Sequence, residues 1–150
     1  MNLIKATLLI ILFSSCGYHL RNTNLGEQYQ SVDLTIESRS LLKRPLLREL
    51  LASGVKVSED SDVKLTIKKD RLVKIVQSVG VNNQVQEYRL EYDVQYTIGD
   101  SKPQNVHLER DYSFDVQEIA GGQSEERTLR NRLAQDMARA IIRQLSATIK

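Results

Sequence analysis

The stretch from Glu87 to Ile98 reads EYRLEYDVQYTI, and its strict alternation decides the fold class. Tyr88, Leu90, Tyr92, Val94, Tyr96 and Ile98 share one face of an extended chain, while Glu87, Arg89, Glu91, Asp93, Gln95 and Thr97 share the other. Six alternations in a row predict a strand with one buried face. A second run, Asn105 to Gln117, sets Val106, Leu108, Tyr112, Phe114 and Val116 against His107, Glu109, Asp111, Ser113 and Asp115, with only Arg110 breaking the apolar side. Gly99 to Gln104 and Gly80 to Asn83 carry turn residues. Upstream, Val63, Leu65 and Ile67 open a third long strand that continues through Val73 and Ile75. Its parity breaks between Lys69 and Leu72, where a bulge would restore Val73 and Ile75 to the core face, unless the strand ends and restarts there. The three long strands are expected to form an antiparallel meander.

Matching apolar faces across the turns predicts the register. Val73 should meet Leu90, Ile75 should meet Tyr88, and Ile98 should meet Val106. Asp93 then lies opposite Asp111, a like-charge pair that an isolated sheet avoids. Lys64, Lys68, Lys69, Arg71 and Lys74 crowd the preceding strand, so the sheet should carry a basic and an acidic side.

Further from this centre, Val32, Leu34 and Ile36 alternate within Ser31 to Glu37 as a short strand. Pro45 suits the first helical position, Leu46, Leu47, Leu50 and Leu51 follow at helical spacing in a helix of about Pro45 to Ser53, and Gly54 suits a left-handed C-terminal position. Val55 and Val57 are compatible with another short strand. Near the C-terminus, Gly121-Gly122 reads as a loop, Ser124 as an N-cap, and Leu129, Leu133, Met137, Ile141 and Leu145 as one helix stripe running to about Ala147. The order β-α-(β)-β-β-β-α predicts an α+β fold: a mixed, mainly antiparallel sheet of four to five strands with two helices packed on one face.

Composition agrees with one globular domain. The 150 residues are 41% hydrophobic and 27% charged, and 21 Lys+Arg against 19 Asp+Glu leave a net charge of +2. That balance argues against disorder and is too even to mark a nucleic-acid binder. One cysteine, Cys16, excludes an intramolecular disulfide.

Cys16 follows a charged start with Lys5, an apolar run from Ala6 to Phe13, and Ser14-Ser15. This reads as a secretory signal, too short to span a bilayer permanently. Phe13-Ser14-Ser15-Cys16 resembles the lipobox of bacterial lipoproteins, whose cysteine is acylated and becomes the mature N-terminus. The expected organisation is therefore a signal peptide at 1–15, a lipidated tether at 16–30, and a single α+β domain at 31–150. By resemblance to lipoprotein sorting, Gly17 after the cysteine implies the outer membrane.

The mature opening Cys16-Gly17-Tyr18-His19-Leu20-Arg21 closely resembles that of the LptE family of lipopolysaccharide-assembly lipoproteins. The Pro-led helix ending at Gly54-Val55, the Glu87-Tyr88 strand, and a C-terminal helix ending Ile142-Arg143-Gln144-Leu145 also look like that family. The resemblance implies a lipoprotein that sits inside the LptD β-barrel and helps deliver lipopolysaccharide to the outer leaflet. The other reading from residues alone is a stand-alone periplasmic lipoprotein, either an enzyme or a binder of a small ligand.

Residues suited to catalysis are sparse. Of the two histidines, His19 stands beside the lipidated cysteine and His107 lies alone in a strand, so a zinc site would have to recruit carboxylates, and no metal or cofactor is expected. Glu87, Glu91, Asp93, Glu109, Asp111 and Asp115 alternate as a solvated or partner-facing surface does, and no nucleophile has a neighbouring base. Glu91, Asp93, Glu109 and Asp111 are the expected partner-facing set. Lipopolysaccharide phosphates would favour Lys64, Lys68, Lys69, Arg71 and Lys74, which a plain solvated strand face also explains. Tyr88, Tyr92, Tyr96 and Tyr112 share core parity. Arg110 either snorkels at an edge or reaches a partner's carboxylate.

Overall fold

The computed structural model describes residues 25–80, 85–113 and 119–147. Cys16, His19, most of the Gly80–Asn83 turn, and Phe114, Asp115 and Val116 lie outside them. The chain runs α1 (Leu25–Gln28), β1 (Ser31–Thr35), α2 (Lys43–Ala52), β2 (Lys56–Val57), β3 (Lys64–Val79), β4 (Val85–Ile98), β5 (Gln104–Ser113) and α3 (Ile119–Ala147). The sheet order is β2-β1-β3-β4-β5, with β1 parallel to both β2 and β3 and the meander β3-β4-β5 antiparallel. It is the expected mixed α+β sheet, with five strands.

The even residues of β4 build the core. Leu90, Tyr92, Val94 and Tyr96 are buried against Leu46 and Leu50 of α2 and against Leu133, Met137, Ile141 and Leu145 of α3. Both long helices therefore cover one face of the sheet, and the odd face of β4 is left without a helix. The hydroxyl of Tyr92 reaches Asp70 and Ser40, and burial followed by Asp70 raises its pKa far above normal. Burial also pushes Tyr96 up to about 12. Among the described residues the Tyr96 hydroxyl has no hydrogen-bond partner.

Helix α2 starts at Lys43, two residues earlier than expected, which keeps Pro45 in the first turn, where backbone N–H groups lack intrahelical acceptors. It ends in a Schellman motif. The Gly54 N–H donates to Leu51 O at 3.1 Å, the Val55 N–H donates to Leu50 O at 3.1 Å, and Gly54 takes φ +80°. Against this turn packs α1, within the segment expected as tether. The Gly26 N–H donates to Ser53 O at 2.9 Å, and Leu25 is buried.

Three expectations are corrected. Helix α3 continues N-terminally through Gly121-Gly122 to Ile119, so Ser124 is interior and its carbonyl accepts from the Thr128 hydroxyl at 2.9 Å. Each glycine costs a helix about 1 kcal/mol, yet once the buried stripe has nucleated the helix, each added residue still gains a hydrogen bond.

The β3–β4 register is the second correction. Leu65 pairs with Ile98 and Ile67 with Tyr96, odd against even as expected, but a bulge between Ile67 and Lys69 shifts everything beyond it by one residue. Val73 therefore meets Glu91 rather than Leu90, and Ile75 meets Arg89 rather than Tyr88. Leu72, Lys74 and Val76 take the side of Tyr92, Leu90 and Tyr88. The third correction is the β4–β5 hairpin. Its first pair is Tyr96 with Gln104, and Val106 meets Val94, not Ile98. Thr97 and Ile98 are spent instead on pairing with Thr66 and Leu65, and Gly99, at φ +51°, opens a wider loop closed by Ser101 N–H to Ile98 O at 3.0 Å.

Candidate functional surface

The helix-free face of the meander is a ladder of side chains in three rows. Arg71, Asp93 and His107 align across the strands, then Val73, Glu91 and Glu109, then Ile75, Arg89 and Asp111. Asp93 and Asp111 thus belong to different rows, and the like-charge pair expected between them does not exist. The like-charge pair is Glu91 with Glu109.

Neighbouring cations relieve it. The Arg89 guanidinium donates to both oxygens of Asp111, at 2.6 and 2.9 Å, and its Nη1 lies 3.2 Å from Glu109. That bidentate hydrogen bond holds Asp111 below its usual carboxylate range. His107 Nδ1 lies 2.8 Å from Asp93 Oδ1 and Nε2 lies 3.9 Å from Glu109. Of the four acids expected to face a partner, Glu91 makes no ion pair among the described residues.

The His107–Asp93 contact has a readable pH signature. Hydrogen bonding to Asp93 raises His107 above its ordinary 6.5 despite slight burial, and the same bond, aided by Lys69 and Arg71, lowers Asp93 below 3.8. The raised histidine stabilises fully below pH 6.5 and loses its contribution as pH rises through its folded value. The lowered aspartate contributes above pH 3.8 and loses its share as pH falls. In an NMR titration, Asp93→Asn is expected to bring the His107 midpoint back toward 6.5. An unmoved midpoint would show that the contact does not persist in solution.

The five expected basic residues do not converge. Lys69 and Arg71 lie on the helix-free face, Lys68 sits in the bulge, and Lys64 pairs with Asp33 at the start of β3. Lys74 points the other way. Its Nζ lies 2.7 Å from Glu126 of α3 and 3.8 Å above the centre of the Tyr88 ring. Tyr88 stacks on Tyr112 at 5.7 Å between ring centres. The Tyr112 hydroxyl donates to Glu126 at 3.0 Å, and Arg130 donates to its other oxygen at 2.8 Å. Burial opposes the Glu126 charge, but these donors outweigh it and hold the carboxyl down at about 2.

The unusual Arg110 finds its carboxylate within the chain, with Nη2 3.3 Å from Asp136 of α3. Sequence reading missed both strand-to-helix ion pairs, because neither separation, 52 residues for Lys74–Glu126 or 26 for Arg110–Asp136, leaves a local pattern. A basic residue on apolar parity is a signal that Arg110 carries and Lys74 does not, because Lys74 reaches the apolar side only through the bulge. Among the described residues no group of three or more His, Cys, Asp or Glu could hold a metal ion, and no helix is long and apolar enough to cross a membrane.

Solved structures share this arrangement. Rare lipoprotein B from Shewanella oneidensis superposes with a TM-score of 0.70 at 21% identity, covering 79% of this chain and 95% of that one. A minor lipoprotein from Acinetobacter baumannii gives 0.70 at 24%, covering 80% and 92%. Lipoprotein B from Nitrosomonas europaea gives 0.66 at 25%, covering 79% and 83%. No curated protein matches the sequence. The profile of the LptE family, described as lipopolysaccharide-assembly, matches residues 29–145, which include all five strands and both long helices nearly to the end of α3. The chain belongs to the LptE lipopolysaccharide-assembly family.

Proposed function

We propose that this protein is an outer-membrane lipoprotein, acylated at Cys16 after loss of residues 1–15, that plugs and helps assemble the LptD β-barrel. In that position it assists delivery of lipopolysaccharide to the outer leaflet. It works as a binding and assembly subunit, without catalysis. The observation that carries the reading is the helix-free face of β3-β4-β5 in a chain of this family. That face is broad and charged, with Arg89, Glu109 and Asp111, and Asp93 with His107, paired within the chain. Large outer-membrane barrels have polar interiors, so a domain seated in one needs a surface that stays polar without stranding buried charge. Glu91, Asp93, Glu109 and Asp111 are the partner-facing residues in this reading. Lys68, Lys69 and Arg71, with Lys64 nearby, are the candidates for lipopolysaccharide phosphates, and Lys74 takes part only if Glu126 releases it.

Detergent extraction of the native protein is expected to bring a large barrel protein with it, and mass analysis is expected to find acyl chains on Cys16. Neutralising the four acids together (E91Q, D93N, E109Q, D111N) should lower barrel recovery about tenfold if each contributes a few tenths of a kcal/mol. K68E, K69E and R71E together should lower lipopolysaccharide capture while leaving barrel recovery intact. Extraction of the parent protein without any barrel would overturn the assembly role.

A further inference from the structure

We propose that the outward face of α2 is a docking surface for an anionic lipid bilayer. Arg44 and Arg48 stand one turn apart, as do Leu47 and Leu51, and the spacings of three between them place all four on one face of the helix. The opposite face, Leu46 and Leu50, is buried in the core. Leu47 and Leu51 remain 37% and 54% exposed, and Leu41, just before the helix, is 46% exposed. Glu49, the one acid of α2, lies off this arc, on the side where its charge adds weakly to that of Asp136 at Arg139 of α3. A cationic and leucine-rich arc without acids is the composition that settles at a headgroup boundary.

Beside this arc lies an open groove of about 730 Å³ between the start of α2 and α3. Lys43, Arg44 and Arg48 line it with the hydroxyl residues Ser38 and Ser40, and Asn131 and Gln135 form the α3 side. No acidic residue lines it, and among the described residues the three cations form no ion pair. Lys43 and Arg44 occupy the positive end of the α2 dipole, where they weaken the helix rather than support it. Guanidinium groups at such a mouth suit the phosphate of a lipid headgroup.

Chain path supplies the orientation. Gly26 is hydrogen-bonded to Ser53 at the C-terminal end of α2, so the described chain begins beside this helix. Cys16 is nine residues upstream of Leu25, a reach of about 30 Å at most. On the proposed acylation of Cys16, the bilayer therefore lies within reach of α2. The arc also points away from the helix-free sheet face, leaving that face to the barrel.

The test uses residues 16–150 with Cys16→Ser, so that no acyl chain contributes and failure of the acylation reading cannot mimic failure of this one. Vesicles of phosphatidylethanolamine with about one-third phosphatidylglycerol are expected to retain this chain, and neutral phosphatidylcholine vesicles to retain about tenfold less. K43E, R44E and R48E together should reduce retention on the anionic vesicles about tenfold or more. Acids at this helix start suit its dipole, so the variant is expected to keep its circular dichroism. L47N with L51N should also weaken retention, whereas K68E, K69E and R71E together should not. Equal retention on both vesicle types, undiminished retention of the α2 triple variant, or an equal loss in the β3 triple variant would overturn the proposal. So would an α2 variant that loses barrel recovery but keeps vesicle binding, which would assign the face to a protein contact.

Discussion

Gly26→Ala is expected to destabilise the protein by about 1–3 kcal/mol, the range for forcing one methyl into a packed site. A Cβ at position 26 would lie 2.5 Å from the Gly54 carbonyl oxygen and 2.7 Å from its carbon. Both are backbone atoms of a hydrogen-bonded turn, so neither can swing aside as a side chain would. The relief available is to lift α1, which breaks the Gly26 N–H to Ser53 O bond and uncovers Leu25. Thermal unfolding should drop by about 4–12 °C. Gly54→Ala is the comparison. Its Cβ would find only ordinary contacts, the nearest at 3.6 Å, so its loss comes from the left-handed φ alone, about 1–2 kcal/mol. Gly54→Asn should recover part of that, because asparagine tolerates the conformation better. An unchanged melting temperature for Gly26→Ala would mean that α1 is not held against α2 in solution.

The second large effect concerns Glu126. Its carboxylate joins Lys74 of β3, Tyr112 of β5 and Arg130 of α3, and so ties the long helix to the distal part of the meander. Glu126→Gln is expected to cost about 1–3 kcal/mol, because two half-buried cations lose their counter-ion while solvent still screens part of the loss. Side-chain exposures of 22%, 29% and 30% for Glu126, Lys74 and Arg130 place the group between a surface pair and a buried one. The pH dependence has a definite sign. A carboxyl lowered from 4.5 to about 2 stabilises the fold fully above pH 4.5 and loses that contribution as pH falls toward 2. Urea unfolding of the parent should therefore weaken across that window, and the variant's curve should be flatter there. Lys74→Met combined with Glu126→Gln should cost less than the sum of the single changes. Strict additivity would show that the two side chains do not interact.

Legibility in the sequence followed the range of each interaction. The strands expected within Gln84–Ile98 and Asn105–Gln117, the latter described only to Ser113, were readable because period two is a property of adjacent residues. The α3 stripe was readable for the same reason at period 3.6, and Gly54 because a helix end signals itself locally. Strand β3 was only half readable. One extra residue at the bulge turns Val73 and Ile75 to the helix-free face and Leu72 and Lys74 to the helix-covered one. The sequence marked the break but favoured the wrong parity, Val73 and Ile75, because Asp70 and Lys74 look solvent-facing until Tyr92 and Glu126 are in place. The α1 segment looked like tether because four residues with one buried leucine form no periodic pattern.

The same division runs through the candidate surface. Residue types alone established an alternating acidic face, a strand rich in cations, and an N-terminal cysteine motif of lipoprotein form. They also established the three long strands, the two long helices and which side of β4 is apolar. Tertiary structure alone decided that Asp93 faces His107, that Arg89 rather than a partner neutralises Asp111, and that Lys74 turns toward the helices. The physical reason is that propensity and periodicity act between near neighbours. Strand register is instead set by loop lengths and by the fit of distant side chains, where a shift of one residue exchanges the two faces of a strand.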